Sequence, residues 1–263
     1  MQMLKTIRIL ALGATLAMSA NTIAQSKDGH ARPTIVLVHG AFAESSSWDA
    51  VIVRLTSDGY AAVAAANPLR SVASDAASVS AVVRSINGPV VLVGHSYGGP
   101  VITAAANGNP NVKALVYVAG FMPDTGESSL TLSGKFPGST LAAALAPVNL
   151  PDGTQDLYIK PEKFHLQFAA DISEEAADLM ASTQRPVAQA ALAEPSGIAT
   201  WKVLPSYSIY GSEDRNIPPA VMRFMAERAP ARKTVVVDGA SHALMVSHPG
   251  EVAALIKEAA STQ

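Results

Sequence analysis

The chain contains no cysteine. That excludes disulfides, thiolate metal sites, a cysteine nucleophile and a lipid-modified N-terminal leader. Charge is also scarce, at 15% of residues with a formal net charge of -2. No basic surface is available to hold nucleic acid. A G-x-G-x-x-G dinucleotide fingerprint is missing. The histidines lack the i, i+4 pairing with a carboxylate that marks a helical metal site, and His242 and His248 stand six apart. No metal and no cofactor are therefore expected.

What is present is apolar content. Hydrophobic residues make up 49% of 263, enough for one substantial core and too few residues for two domains. The N-terminus reads as a secretory signal over residues 1–24. Lys5 and Arg8 form its basic region, and Ile9 to Ala20 form an apolar stretch too short to span a membrane comfortably. Thr22-Ile23-Ala24 supplies small residues at the cleavage site. Cleavage after Ala24 would remove two positive charges and leave a mature net charge of -4 (17 minus 21). The expectation is a periplasmic or secreted protein with no stable membrane association once the signal is gone. Residues 25–263 are expected to form a single domain.

Apolar runs then alternate with helical spacing. Thr34–Val38, Tyr60–Ala66, Val90–Val93 and Ala114–Ala119 read as buried strands. Trp48–Ser57, Val72–Ile86 and Pro100–Ala106 read as helices, with Val79, Val82, Val83 and Ile86 as one inner stripe. The pattern predicts a parallel sheet covered on both faces. It breaks between about 121 and 201, where no strong strand run occurs but helical pieces do (Lys163–Ala170, Glu174–Ser182). It resumes with strands Tyr207–Tyr210 and Lys233–Val237 and helices Pro219–Ala229 and Pro249–Ala260. An insertion of this size at the carboxyl edge of a sheet predicts a helical lid.

The most specific signal is Gly94-His95-Ser96-Tyr97-Gly98-Gly99, directly after the Val90–Val93 run. This is G-x-S-x-G between a strand and a helix. A strand that turns abruptly into a helix strains its turn residue and leaves no room for side chains two positions away. The serine hydroxyl is pushed out above the sheet, and the amides at the helix start face the place where a negative oxygen would form. Ser96 is thus the candidate nucleophile.

A serine needs a base, and the base needs a carboxylate to fix its tautomer. Asp214 and His242 each follow a predicted strand, and the chain order Ser96, Asp214, His242 suits such a sheet. Rivals exist. Glu213 adjoins Asp214 but points elsewhere, Asp124 follows an earlier strand, and Asp238 reads as a strand cap. His248 precedes Pro249 near a helix start, His30 lies in the lead-in, His165 in the lid, and His95 beside the nucleophile. His39-Gly40-Ala41-Phe42 follows the first strand. There the amide of Ala41, or alternatively that of Phe42, would pair with the amide of Tyr97 around an oxyanion. His39 reads as a structural hydrogen-bonding residue. Trp48 either walls the pocket or packs in the helix core. Phe121, Met122, Phe164, Phe168, Leu244 and Met245 are further pocket candidates.

These motifs resemble the α/β-hydrolase superfamily across nearly all of the mature length. His39-Gly40-Ala41 followed by Trp48, the Ser-Glu-Asp-Arg-Asn-Ile-Pro segment at 212–218 and the final Gly-Ala-Ser-His are similar to the plant methylesterase and hydroxynitrile lyase branch and to secreted bacterial serine esterases. The resemblance implies a Ser96–His242–Asp214 triad, an oxyanion hole from Ala41 and Tyr97, and an α/β fold of about six mostly parallel strands. The short lead-in predicts that the antiparallel hairpin opening many relatives is missing. The lyases carry a threonine where this chain has Gly40 and a lysine where it has Ala243, and both serve cyanohydrin chemistry. Their absence favours ester hydrolysis, and the apolar character of the pocket candidates points to small to medium, largely apolar carboxylic esters. Lactone or amide hydrolysis and cofactor-free perhydrolysis use the same machinery and stand as alternatives.

Overall fold

The computed structural model describes residues 32–262. The expected signal, residues 1–24, and His30 lie outside the described residues. Nine strands occur in chain order among them: Thr34–Val38 (β1), Ala62–Ala65 (β2), Val90–His95 (β3), Val112–Val118 (β4), Leu145–Asn149 (β5), Gln155–Ile159 (β6), Val187–Ala188 (β7), Ser206–Gly211 (β8) and Lys233–Val237 (β9). Six of them form one sheet in the order β2-β1-β3-β4-β8-β9. Every neighbouring pair in it is parallel. Among the described residues no strand precedes β1.

The strands of this sheet are apolar because both faces are covered. Ile35, Leu92 and Val116, from β1, β3 and β4, have no exposed surface. Helices Asp49–Ser57 and Pro249–Ser261 pack against each other, as do Val72–Arg84 and Gly98–Ala105. Right-handed crossovers that run in opposite directions from β1 put the two pairs on opposite faces. The chain goes from β1 outward to β2, then returns past β1 to β3. This reversal opens a crevice between the carboxyl ends of β1 and β3, where Val38 is registered with Gly94. On the other side β8 and β9 end together, Gly211 against Val237. Four loops that carry candidate groups therefore emerge at one sheet edge.

The insertion between β4 and β8 is not wholly helical, which corrects the sequence reading. It holds helices Pro161–Phe168 and Glu174–Thr183, but also an antiparallel three-stranded sheet, β5-β6-β7. The strands escaped notice because β5 is mostly exposed and contains Pro147, while β7 has two residues. No buried apolar run marks them. Leu150-Pro151-Asp152-Gly153-Thr154 between β5 and β6 is a turn signal that would have revealed the hairpin. Gly153 sits there at φ 84°.

Candidate active site

Ser96 lies at the sharp turn from β3 into helix Gly98–Ala105, with φ 53°. Such a conformation in a non-glycine residue costs about 1–3 kcal/mol, so its surroundings must hold it. Its N–H donates to Val118 O at 3.2 Å, and its carbonyl accepts from Gly99 N at 3.0 Å and Phe121 N at 3.2 Å. The glycines allow this closeness. A Cβ at Gly94 would stand 2.5 Å from Gly98 O, and one at Gly98 2.5 Å from Val38 O. Ser96 is 7% exposed and lines an open pocket.

The loop after β1 runs beside this turn, and Gly40 makes the contact possible. A Cβ at Gly40 would meet Ser96 Cβ at 2.6 Å and His95 O at 2.7 Å. The backbone N–H groups of Ala41 and Tyr97 donate to no acceptor among the described residues. Phe42, weighed as an alternative oxyanion donor, is already engaged: its N–H donates to Arg185 O at 2.9 Å. The available pair is therefore Ala41 and Tyr97.

Asp214 and His242 meet directly. His242 Nδ1–H donates to Asp214 Oδ2 at 2.6 Å, with both side chains 1% exposed or less. The other carboxylate oxygen, Oδ1, accepts from the N–H of Asn216 at 2.8 Å and of Ile217 at 2.9 Å. A bonded Nδ1–H leaves Nε2 as the proton acceptor. The Ser96 hydroxyl forms no hydrogen bond with His242 in this structure. The two residues share the site through His95, which adjoins Ser96 in the chain and whose ring centroid lies 4.8 Å from that of His242. Catalytic hydrogen bonds of this kind often tighten only around substrate.

The rival residues are occupied elsewhere. Asp124 pairs with Lys202 at 2.6 Å, which holds its carboxyl below the usual range. Glu213 is exposed, and Asp238 accepts from Ser212 Oγ at 3.1 Å in the turn after β9. His165 Nε2–H donates to Ile172 O at 2.9 Å within the insertion. His248 begins helix Pro249–Ser261 and faces Asp171 at 3.5 Å.

Two further histidines are neutral supports. His39 Nδ1–H donates to Gly40 O at 2.9 Å, while its Nε2 accepts from Asn67 N–H at 3.2 Å. Burial lowers its pKa. His95 Nε2–H donates to His242 O at 3.1 Å and so holds the His242 backbone. Complete burial, with His242 beside it, pushes the His95 pKa well below its ordinary value. Tyr97 is fixed by its hydroxyl, which donates to the buried Asp75 carboxylate at 3.0 Å. Burial and that neighbouring negative charge raise the phenol pKa far above normal.

The pocket beside Ser96 spans about 660 Å³, including the part open to solvent, between the insertion and the sheet-edge loops. Ala41, Phe42, Phe121, Leu141, Leu145 and Ile217 give it apolar walls. Of the seven pocket candidates, Phe121 lines it. Trp48, Met122, Phe164, Phe168, Leu244 and Met245 do not, and all six are buried in the core. Apolar character alone does not separate a pocket wall from the core behind it. Phe168 supports the site from behind: its ring packs edge-on to His242 at 5.1 Å and to His95 at 6.0 Å. Trp48 packs against His95 at 6.5 Å. Among the described residues no group of three or more histidine, aspartate or glutamate side chains converges as a metal site.

The sequence reading also missed Asp75, Asn67, Gln167 and Asn216, which anchor Tyr97, His39 and the Asp214 loop. The Asn67-Pro68 step that ended a predicted strand and the Asn216-Ile217 step after Asp214 were the available signals.

The chain belongs to the α/β hydrolase family, whose profile matches residues 35–255. It is 28% identical to a pyrethroid hydrolase of Sphingobium wenxiniae over 244 residues, covering 85% of this chain and 86% of that protein. A 66-residue stretch is 44% identical to a carbendazim hydrolyzing esterase of a Nocardioides species, spanning 21% of this chain and 27% of the relative. Among solved structures, polyneuridine aldehyde esterase superposes with a TM-score of 0.75 at 23% identity, over 86% of this chain and 98% of that one. The tomato methylketone synthase I structure gives 0.72 at 18% identity, over 88% and 98%.

Proposed function

We propose that the protein is a serine carboxylic-ester hydrolase in which Ser96 is the nucleophile, His242 the general base and Asp214 the residue that orients it. The observation that carries this is the His242–Asp214 contact at 2.6 Å, with the His242 ring packed against His95, the chain neighbour of a serine held at φ 53°. His242 Nε2 takes the proton as Ser96 Oγ attacks the ester carbonyl carbon. The Ala41 and Tyr97 amides receive the developing oxyanion. As the tetrahedral intermediate collapses, the bond to the alcohol oxygen breaks and His242 returns the proton to that leaving alkoxide. Water then attacks the acyl-enzyme with His242 again as base, releasing the acid and free Ser96.

The apolar pocket walls support an uncharged ester of small to medium size as substrate. The contact of Gly40 with Ser96 supports hydrolysis over cyanohydrin cleavage, because it leaves no room for the lyases' threonine. Two relatives aligned by sequence are named as a hydrolase and an esterase, in line with this reading. We also propose that residues 1–24 are an export signal. The test of the activity is turnover of p-nitrophenyl acetate by wild type and Ser96→Ala. Loss of several orders of magnitude in kcat is expected; full turnover by Ser96→Ala ends the proposal.

A further inference from the structure

Two residues that line the pocket each carry a buried polar atom that nothing in the protein satisfies. Asn216 Nδ2 and Ser129 Oγ are both fully buried without a hydrogen-bond partner, and both residues line the pocket beside Ser96. Buried donors in native proteins are nearly always paired, so each exception calls for a reason.

For Asn216 the surrounding network fixes which atom is left over. Gln167 Nε2–H donates to the backbone carbonyl of Arg215 at 3.0 Å and to Asn216 Oδ1 at 2.7 Å. A carbonyl can only accept, so Gln167 must present its nitrogen on that side. Its own Oε1 then accepts from Thr140 Oγ1 at 2.8 Å. Asn216 must in turn present its oxygen to Gln167, and the amide NH2 is the spare group. The backbone of Asn216 is pinned as well: its N–H donates to Asp214 Oδ1, and its carbonyl accepts from Ser139 Oγ at 2.9 Å. The spare donor therefore stands on a rigid support two residues from the carboxylate that orients His242. Ser129 supplies the second unpaired group from the insertion, on helix Ser129–Ser133.

We propose that Asn216 and Ser129 form a polar subsite that receives a neutral oxygen of the substrate, an ether or a ketone carbonyl, in addition to the ester being cleaved. This deepens the esterase reading and rests on it. A neutral acceptor is specified because both spare groups can donate and Lys and Arg are absent from the pocket lining. The preferred substrate class is an uncharged ester carrying a second oxygen function, over its all-methylene counterpart.

The test uses p-nitrophenyl ester pairs that differ by one oxygen: methoxyacetate against butyrate, and 3-methoxypropanoate against pentanoate. Intrinsic reactivity differs within a pair, so the readout is the ratio of kcat/KM in wild type divided by the same ratio in the variant, where that difference cancels. Asn216→Leu is expected to lower the oxygen preference of at least one pair about tenfold. Ser129→Ala, which breaks no existing side-chain hydrogen bond, is expected to lower it several-fold and guards against misfolding of the first variant. The same pairs are measured as binding by calorimetry in a Ser96→Ala background, which needs no turnover. Variants that weaken both members of every pair equally overturn the subsite, whatever the activity. Absence of ester turnover by wild type overturns the esterase reading alone, since the binding ratios are read independently of it.

Discussion

Replacing Asp214 by asparagine tests the base assignment sharply, because the structure dictates how the new amide must face. Oδ1 accepts from two backbone N–H groups, at 2.8 and 2.9 Å, and Oδ2 accepts from His242 Nδ1–H at 2.6 Å. Turning an amide NH2 toward the two backbone donors would strand both, at about 1–3 kcal/mol each. The amide oxygen therefore stays on the backbone side and the NH2 faces His242. Nδ1 must then accept, the single ring proton moves to Nε2, and the nitrogen that should take the Ser96 proton already holds one. In a serine protease the equivalent wrong tautomer lowers kcat by about 10⁴, which corresponds to about 5.4 kcal/mol at 1.36 per tenfold. Steady-state kinetics on a short p-nitrophenyl ester and a thermal melt are the measurements. The expected result is a kcat about 10⁴ lower, KM within a few-fold of wild type and a melting temperature within a few degrees. A folded Asp214→Asn enzyme within tenfold of the wild-type kcat would refute the tautomer argument.

Asp124→Asn, at the rival carboxylate, should change kcat by less than about twofold, since its partner Lys202 lies at the surface; a large loss in the same kinetic assay would reassign the acid. Gly40→Thr places a Cβ within 2.6 Å of Ser96 Cβ, and fluorophosphonate labelling of Ser96 should slow by about 100-fold or more. Unchanged labelling would mean that the two loops part easily. His39 and His95 have pKa values lowered chiefly by burial, so the unfolded chain binds protons that the folded one refuses. Their stabilising effect is complete above the unfolded value of about 6.5 and fades as pH falls below it. Urea unfolding should show lower stability at pH 5.5 than at pH 7.5, and His95→Gln should flatten that slope; a slope unaffected by the substitution contradicts neutral burial. Edman sequencing of exported protein should begin at Gln25, and a retained Met1 would rule out a cleaved signal.

The sheet was legible in the sequence because parallel strands buried on both faces must be runs of Val, Leu and Ile, as in Val90–Val93, and such runs resemble little else. The helix between β2 and β3 was legible from its valine stripe. The turn at Ser96 was legible because close backbone contacts at Gly94 and Gly98 demand glycine, which makes the motif a steric record of the fold. The pocket was not. Phe164 and Phe168 carry the same apolar signal as Phe121, and only the packing shows that they stand behind His242 and not in the pocket. The hydrogen-bonding of Asn67, Asp75 and Gln167 was invisible for a related reason. Each meets its partner from a distant part of the chain, and a lone polar residue announces no partner.

The insertion does more than cover the pocket; it holds the loops that would do the chemistry. Arg185 O, from the insertion, accepts from Phe42 N–H directly after Ala41. Phe168 O accepts from the N–H of Ala243, and Asp171 accepts from the Ser241 hydroxyl, so both neighbours of His242 in the chain are anchored. Glu194 caps the start of helix Val72–Arg84, taking the Val72 N–H at 2.6 Å, and that helix carries the Asp75 that fixes Tyr97. Four contacts thus tie the insertion to the loop that follows Ala41, to both chain neighbours of His242 and to the helix that supports Tyr97. A side chain on the insertion can therefore alter kcat without touching substrate. Phe168→Ala makes this concrete. The ring is fully buried against His242 and His95, and its loss should cost about 3–5 kcal/mol of stability while freeing the imidazole to rotate. The expected signature is a lower melting temperature with kcat reduced more than KM is raised. A variant destabilised to that extent but unchanged in kcat would show that His95 and Asp214 hold His242 unaided.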